Sequence, residues 1–396
     1  MRWEKVKLGD CCEITSSKRI FYSEYAAFGI PFYRSKEIIE RSQGKSISEP
    51  LYITNQRYDE IKCKFGTPVA GDMLLTSVGT IGIPYIVKAT DKFYFKDGNL
   101  TWFRRFTNKL YPQYLFYWIT SKEGVGVLNN VTIGSSQKAL TISALKNIEV
   151  TLPPIETQRR IADILSAYDD LIENNRKQIK LLEEAAQRLY KEWFVDLRFP
   201  GHEHTRIVDG VPEGWKKEPL SAIADVTMGQ SPKSEFYNHI GEGLPFHQGV
   251  GTYGTRFVKN ETYTTSYTRI AEAGSILFSV RAPVGRLNLT ENRIAIGRDI
   301  AALNHKSRFQ SFLFYMLKER FFKDNLVGNG SIFASISKDE LLKQQFMIPL
   351  KDIMEQYDEA ARNIDDKISG ASKQIELLIY ARDCLLPKLM SGEVEA

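Results

Sequence analysis

Two long stretches of the chain repeat apolar residues with the spacing of a coiled-coil helix. In the first stretch, no Gly or Pro occurs between Pro154 and Pro200. One seam position is occupied by Leu165, Ile172, Ile179, Ala186 and Trp193, and the other by Ile161, Tyr168, Asn175, Leu182 and Leu189. A heptad pattern sustained over this length predicts one uninterrupted helix over residues 153–199.

The second stretch, residues 351–396, repeats the pattern less regularly. Its seam positions hold Ile368 and Ile375 on one side, and Ile364, Ala371, Leu378 and Leu385 on the other. Arg382 occupies a seam position, and Gly370 weakens the middle of the predicted helix. Because proline cannot continue a helix without losing a hydrogen bond, we expect the helix to end near Pro387.

The two predicted helices are expected to pack against each other. A single amphipathic helix would normally cover its own domain, but each of these seams is longer than a small domain could bury. The chain returns through a linker at residues 200–214, which favours an antiparallel coiled coil. Asn175 then serves as a polar residue that fixes the register of the seam.

The segments before the two helices form a tandem repeat. The sequence GIPF at residues 29–32 returns as GLPF at 243–246, and YLFYW at 114–118 returns as FLFYM at 312–316. The run GSSQKALTISALKNIEVTLP from Gly134 aligns without a gap to GSIFASISKDELLKQQFMIP from Gly330. Each copy has short β-type runs broken by Gly and Pro, followed by a short helix. We therefore predict two similar α+β domains at residues 1–152 and 215–350, related by a pseudo-twofold axis.

The composition is that of an ordinary globular protein, with 43% hydrophobic and 26% charged residues. The longest apolar runs fall far short of the roughly 20 residues that a membrane-spanning helix needs. The first ten residues, MRWEKVKLGD, have no apolar stretch of the kind found in secretory signals. We expect a cytoplasmic protein whose four cysteines, which lack CxxC spacing, are reduced.

No motif in the sequence predicts catalysis or metal binding. Gly44-Lys45-Ser46 resembles the end of a phosphate-binding loop, but Ile39 stands where the leading glycine is required. The five histidines lack HExxH spacing, and no NPPY-type or DPPY-type motif of amino-methyltransferases occurs. Acidic pairs occur at equivalent places in the two helices, at residues 169–170 and 365–366. We expect these carboxylates to be solvated or to contact a partner protein rather than to act as acids or bases.

Five segments carry a resemblance to a known family. They are LPPIETQRRIADIL from Leu152, ENNRKQIKLLEEAAQRLYKEWFVD from Glu173, FPGHE from Phe199, VPEGW from Val211 and LLPKLMSGE from Leu385. Together they resemble the specificity subunit of type I restriction-modification systems, which alternates two target recognition domains with two conserved helical regions. The resemblance as a whole spans nearly the whole chain, but the recognition domains are similar only in framework.

The resemblance implies a DNA-recognition subunit without a catalytic site. Such a subunit joins two methyltransferase subunits, and further motor-nuclease subunits, on an asymmetric two-part DNA site. The helices would set the spacing of the half-sites and dock the methyltransferases. S-adenosylmethionine, ATP and Mg would be bound by the partner subunits, and no cofactor by this chain.

Sequence reading needs hydrogen-bonding side chains presented from loops, with cations for phosphates. Residues 250–310 hold nine basic residues against four acidic ones, and seven of the nine are Arg. For any one residue of the loops, plain surface exposure remains as good an explanation. The candidate DNA contacts are Lys18, Arg19, Arg34, Lys36, Gln230, Lys233, Gln248, Tyr253, Arg256 and Arg281. The GSS at Gly134 and the GSI at Gly330 could bring backbone amides to phosphates, or could serve only as turns or caps.

Two other functions remain open. One is a protein-interaction scaffold whose two heads bind peptides or sugars, with no DNA contact. The other is a single-chain methyltransferase that has lost its motifs. Salt-sensitive retention on duplex DNA, with and without a methyltransferase partner, separates the scaffold from a DNA-reading protein.

Overall fold

The computed structural model describes residues 3–134, 138–321 and 335–396. The chain divides into two units. Unit 1 comprises Met1–Arg176 with Lys373–Ala396, and unit 2 comprises Lys177–Ser372. Each unit therefore contains one α+β domain and one half of each long helix.

In unit 1 the α+β domain has ten strands and six short helices among the described residues. The strands are β1 (Glu4–Lys7), β2 (Glu13–Thr15), β3 (Tyr25–Ala26), β4 (Ile30–Tyr33), β5 (Leu51–Ile53), β6 (Met73–Thr76), β7 (Pro84–Ile86), β8 (Tyr94–Phe95), β9 (Leu100–Arg104) and β10 (Glu149–Leu152). The helices are α1 (Leu8–Cys11), α2 (Ser35–Ser42), α3 (Asn55–Phe65), α4 (Pro112–Thr120), α5 (Lys122–Asn130) and α6 (Ile142–Lys146). The first long helix, α7 (Ile155–Phe194), follows β10.

Unit 2 repeats this order with some replacements. Its strands are β11 (Ile207–Val208), β12 (Val211–Pro212), β13 (Lys216–Pro219), β14 (Ala224–Met228), β15 (Tyr237–Asn238), β16 (Leu244–His247), β17 (Tyr263–Thr264), β18 (Ile270–Ala271), β19 (Ile276–Ser279), β20 (Leu287–Leu289), β21 (Ile294–Ile296), β22 (Ile300–His305) and β23 (Gln345–Ile348). The helices are α8 (Leu220–Ile223), α9 (Gln310–Phe321), α10 (Lys338–Leu342) and the second long helix, α11 (Lys351–Ser391).

The sheets have matching strand orders in the two units, except that β18 is an additional edge strand in unit 2. A four-stranded antiparallel sheet has the order β2-β9-β6-β7 in unit 1 and β14-β22-β19-β20 in unit 2. A second sheet has the order β3-β5-β4-β8 in unit 1 and β15-β17-β16-β21-β18 in unit 2. In each second sheet one pair is parallel, namely β4 with β8 and β16 with β21. The predicted internal repeat of α+β domains is therefore confirmed by the strand order.

The helix α7 starts directly after Pro153-Pro154 and is continuous over 40 residues. It ends at Phe194, because Leu197 adopts a left-handed backbone with φ of 58°. Of its predicted seam residues, Leu165, Ile172, Asn175 and Ile179 are buried and Leu182 and Leu189 are half-buried. The heptad pattern thus marks the face of α7 that is shielded from solvent.

The helix α11 continues through Pro387 to Ser391, so the expectation that it ends near this proline was wrong. Pro387 removes one backbone donor, but the next turn places Leu389 and Met390 in the core of unit 1. Burial of two large side chains outweighs the lost hydrogen bond. Among the seam residues of α11, Ile368 is buried, and Ile364, Ile375, Leu378 and Leu385 are half-buried.

Within unit 1 the two helices run antiparallel. Asp169 of α7 pairs with Arg382 of α11, whereas the earlier residue Leu165 shares a hydrophobic cluster with the later residue Leu389. Within unit 2 the other halves meet around Tyr357, whose hydroxyl donates to the backbone carbonyl of Ala186 at 3.2 Å. In both units the helices complete the core of the α+β domain.

Candidate nucleic-acid interface

The parallel strand pair brings two loops to one edge in each unit. Because parallel strands end at the same side of a sheet, the residues after β4 lie beside those after β8. The Lys96 amide accordingly donates to the Tyr33 carbonyl at 2.8 Å. The same bond joins Gly297 to His247 in unit 2, also at 2.8 Å.

Two further loops join the same edge of unit 1. Ser16, which follows β2, accepts a hydrogen bond from the Gly98 amide at 3.3 Å. Ser77, which follows β6, donates its amide to the Asn99 carbonyl at 2.8 Å. Residues 16–21, 34–37, 77–83 and 96–99 therefore form one surface, here called the recognition edge of unit 1.

The recognition edge of unit 2 consists of the corresponding residues 229–234, 248–254, 280–285 and 297–299. The amide of Arg298 donates to Ser231 Oγ at 3.2 Å, and the Val280 amide donates to the Asp299 carbonyl at 2.9 Å. A Cβ at Gly229 would lie 2.1 Å from the Gly297 carbonyl oxygen. Only glycine permits the two loops to approach this closely.

Four of the predicted DNA contacts lie on the edge of unit 1. Arg19 is exposed and pairs with Asp97 at 2.9 Å, and Lys36 is exposed and pairs with Glu49 at 3.0 Å. The ammonium of Lys18 lies 4.8 Å from the centre of the Phe65 ring. These three side chains are accessible to a ligand.

Arg34 is held more firmly than the other three. Its guanidinium bonds to the fully buried Glu37 at 2.6 Å, and this hydrogen bond raises the pKa of Arg34. Glu37 also accepts the Arg34 amide at the start of α2, at 2.6 Å. The Arg34 side chain is therefore fixed and half-buried, with limited freedom to follow a base edge.

On the edge of unit 2 the structure brings together Gln230, Gln248 and Arg281. Arg281 pairs with Asp299 at 3.2 Å and retains 54% of its side-chain exposure. Gln230 is exposed and accepts a hydrogen bond from Thr268 at 3.2 Å. Lys233 is also exposed, with 82% of its side chain accessible.

The prediction that Arg256 contacts DNA was wrong. Its side chain is only 2% exposed and pairs with Asp365 of α11 at 2.5 Å. The guanidinium also lies 3.7 Å from the centre of the Phe314 ring. The loop folds inward because β20 binds it, with the Leu289 amide donating to the Arg256 carbonyl at 2.9 Å.

Tyr253 is also withdrawn from the surface. Its hydroxyl is buried and has no hydrogen-bond partner among the described residues. Burial raises the pKa of Tyr253 well above its usual range. This side chain packs against the hydrophobic cluster beneath the edge, so it is a poor base contact.

Arg298 is an edge residue that sequence reasoning missed. It is 63% exposed and lies 3.9 Å from the same Asp299 carboxylate that holds Arg281. Its position two residues after the end of the strand β21 is the signal that could have identified it. The proposed phosphate contacts at GSS and GSI fall mostly at residues 135–136 and 330–332, which lie outside the described residues.

The acidic pairs in the long helices are not simply solvated. Asp169 accepts a hydrogen bond from the Tyr117 hydroxyl at 2.6 Å, and Asp365 accepts one from Tyr315 at 2.8 Å. Burial together with the neighbouring carboxylate raises the pKa of Tyr117, which keeps this phenol protonated as a donor. The first aspartate of each pair therefore attaches its helix to the α+β domain of its own unit.

Nothing in the described residues indicates a metal centre. Across residues 3–134, 138–321 and 335–396, no group of three or more His, Cys, Asp or Glu side chains could hold a metal ion. No helix in these ranges is both long and apolar enough to cross a membrane.

Comparison with known proteins finds similarity to specificity subunits of type I restriction enzymes. The family model for the type I restriction modification DNA specificity domain matches residues 1–184 and 212–374. The chain is 27% identical to the type I restriction enzyme MjaIX specificity subunit of Methanocaldococcus jannaschii, over 99% of this chain and 93% of that protein. It is 22% identical to the HindI specificity subunit of Haemophilus influenzae, over 72% and 78% of the two chains.

A solved structure shares the fold. The type I restriction-modification system S subunit from M. genitalium superposes with a TM-score of 0.62 at 17% identity, covering 98% of this chain and 96% of that one.

Proposed function

The chain belongs to the type I restriction modification DNA specificity family, and we propose that each recognition edge reads one half of an asymmetric, two-part DNA site. The observation that carries this proposal is that the same four loops meet at one edge in both units. The framework is repeated, but the exposed polar side chains differ. Two similar domains with different polar groups suit two different half-sites.

Arginines held by a carboxylate are suited to base reading. Arg19 beside Asp97 and Arg281 beside Asp299 each keep an exposed guanidinium that is already oriented. A guanidinium fork can donate two hydrogen bonds to the O6 and N7 atoms of guanine, and a Gln side chain can bond adenine in a similar way. We infer that these arginines and Gln230 are base contacts, and that Lys18, Lys36, Lys233 and Arg298 bind phosphates.

An exchange of one domain tests the proposed function. Replacing residues 1–150 with the equivalent segment of a relative should change one half of the methylated site, because each edge reads its own half-site. Methylome sequencing of cells with the hybrid and with the unmodified chain gives the answer. A hybrid that assembles and alters both half-sites, or neither, would contradict independent reading.

We further propose that two methyltransferase subunits dock on the long helices. Leu181 of α7 is 64% exposed, and Leu377 of α11 is 68% exposed. The two leucines are equivalent in the repeat, since Leu377 lies as far beyond Leu181 as Gly330 lies beyond Gly134. Equivalent apolar side chains offer two copies of one partner the same contact. Leu181→Ser and Leu377→Ser should each lower the measured stoichiometry from two methyltransferases to one, and exposed Leu171→Ser is the control.

The long helices are also proposed to set the half-site spacing. Inserting one heptad at the centre of both helices keeps the seam in register and adds about 10 Å at 1.5 Å per residue. At 3.4 Å per base pair this corresponds to about three additional base pairs in the methylated site. An assembled variant that still methylates only the original spacing would disprove this role.

Motor-nuclease subunits would join through the assembled complex, and S-adenosylmethionine, ATP and Mg would be bound by the partner subunits. Because the partner subunits would bind the cofactors, we expect that the isolated full-length chain does not methylate DNA. Methylation by the purified chain with S-adenosylmethionine alone would overturn it.

A further inference from the structure

A cleft of about 560 Å³ lies next to the recognition edge of unit 1. Its lining begins at Thr15, Ser16 and Lys18, where the edge begins, and extends along β9 to Arg104 and the following Arg105. The cleft is thus continuous with the edge, but most of its lining lies outside the four loops that form it.

The side chains around the cleft are strongly basic. The cations that line it are Lys18, Lys62, Lys64, Arg104 and Arg105. Among the described residues, no carboxylate is part of the lining. Glu13 lies nearby and pairs with Arg104 at 2.8 Å and with Arg105 at 3.0 Å. The buried Asp72 also lies nearby, where it accepts a hydrogen bond from Trp102 at 2.8 Å. Two carboxylates beside five cations still leave a local excess of positive charge.

The fold fixes some of these cations and leaves others exposed to solvent. Arg104 stacks on Trp102, with its guanidinium 4.3 Å from the ring centre, and donates to the Phe65 carbonyl at 3.2 Å. By contrast, Arg105 is 75% exposed, and Lys62 and Lys64 are exposed on the last turn of α3. Exposed cations therefore lie at the rim of the wall that Trp102 and Arg104 form.

Unit 2 has Asn304 and His305 in the positions of the two arginines of the cleft. The strand pair that aligns Glu13 with Arg104 in unit 1 aligns Asp225 with Asn304 in unit 2. The next residue, His305, is buried. Where the chain of unit 1 forms α3 after β5, the chain of unit 2 forms the short strand β18 after β17.

We propose that the cleft of unit 1 binds phosphodiester groups of DNA beside the half-site that this unit reads, so that unit 1 supplies more of the sequence-independent affinity than unit 2. This inference rests on the proposed function, since it requires DNA on the adjacent edge. Cations that displace condensed counterions from phosphates produce binding that weakens steeply with salt and is independent of sequence.

The test removes three of the exposed cations and measures the salt dependence of binding. The variant Lys62→Gln, Lys64→Gln and Arg105→Asn leaves Arg104 in place, and Asn tolerates the positive φ of 50° at residue 105. Binding of a random-sequence duplex is measured with the complex of the full-length chain and its methyltransferases between about 50 and 200 mM salt. The slope of log affinity against log salt should become shallower by about 0.9 for each phosphate that the variant no longer neutralises.

The matched control is Lys7→Gln, Lys122→Gln and Lys146→Gln, which removes the same charge from exposed residues of unit 1 outside the cleft. This variant should keep the slope of the unmodified complex. The half-site sequences methylated by the cleft variant should stay the same. An unchanged slope in the cleft variant, or an equal change in the control, overturns the cleft alone. Failure of the unmodified complex to bind DNA overturns the proposed function itself.

Discussion

Each unit has an equivalent aspartate on a long helix, and the arginines that neutralise the two aspartates come from different parts of the chain. Asp169 and Asp365 are equivalent in the repeat, and each accepts a hydrogen bond from an equivalent tyrosine. In unit 1 the neutralising cation is Arg382 of the other long helix. In unit 2 it is Arg256, which comes from the recognition domain.

The seam residues explain this difference. The position of Arg382 in α11 corresponds to Ala186 in α7, because Arg382 lies as far beyond Ala186 as Asp365 lies beyond Asp169. Ala186 is fully buried and carries no charge, so the carboxylate of unit 2 needs a cation from elsewhere. Arg256 supplies it and thereby joins the segment after the edge loop 248–254 to α11. In this unit the edge is coupled to the helix by a buried ion pair.

The largest expected difference between the units is in the free energy of unfolding that is lost when the aspartate is replaced. Asp365→Ala leaves Arg256 charged at 2% exposure, and removing one member of such a buried pair costs about 3 to 5 kcal/mol. Both substitutions also remove the acceptor of a tyrosine hydroxyl, so the difference between them comes from the ion pairs. Asp169→Ala frees Arg382, which is 29% exposed and also pairs with Asp383, so loss of this ion pair should cost about 1 kcal/mol or less. Denaturant unfolding of the full-length chain, followed by hydrogen exchange on peptides of each unit, measures both effects.

The neighbouring exposed aspartates give the controls, since Asp170→Ala and Asp366→Ala leave the ion pairs intact. Replacing both members of the buried pair, with Arg256→Met and Asp365→Leu, should recover part of the stability because no charge remains unpaired. Equal costs for Asp169→Ala and Asp365→Ala would refute the distinction between a partly exposed ion pair and a buried one.

A second comparison concerns the exposed arginines of the two edges. Arg19→Ala and Arg281→Ala should each cost about 1 to 3 kcal/mol of DNA binding and relax specificity only in the half-site of their own unit. Arg293→Ala, which removes an arginine that is similarly exposed and lies outside the edge, should change neither quantity. Competition binding with each half-site randomised measures both. If either edge variant weakened all sequences equally, that arginine would be a phosphate contact instead.

The smallest expected effect is a difference in acid sensitivity. All five histidines of the chain lie in unit 2. Burial lowers the pKa of His247 and of His305 below the ordinary value of 6.5. The unfolded chain therefore binds protons more readily than the folded one, and the stability of unit 2 should decline as the pH falls below about 6.5.

Unit-resolved hydrogen exchange, corrected for the intrinsic pH dependence of the exchange rate, measures this decline between neutral and mildly acidic pH. Unit 1 lacks histidine and should change less over the same range. The variant His247→Gln with His305→Gln should flatten the response of unit 2, whatever its stability at neutral pH. An unaltered response in that variant would exclude the two histidines as its cause.

Local patterns in the sequence determined the repeat, the α+β class of its domains and the two long helices. Heptad spacing depends only on helix geometry and on the removal of apolar residues from water, so Leu165, Ile172 and Ile368 could be assigned to a buried seam directly. The sequence also showed that Arg382 interrupts the apolar seam. It did not show that Arg382 pairs with Asp169, because a pairing across 213 residues leaves no local pattern.

The tertiary structure alone decided which loops meet and which of their charged residues stay exposed. The parallel pairing of β4 with β8 brings residues 34 and 96 to one edge, a relation that depends on strand order rather than on residue type. Arg256 and Arg281 occupy similar basic segments, yet one is buried against Asp365 and the other remains at the surface. Pro387 stays helical because Leu389 and Met390 find a core that is formed mainly by residues more than two hundred positions earlier. Contacts between residues distant in the chain set these outcomes. Such contacts cannot be derived from the periodicity or the composition of the sequence.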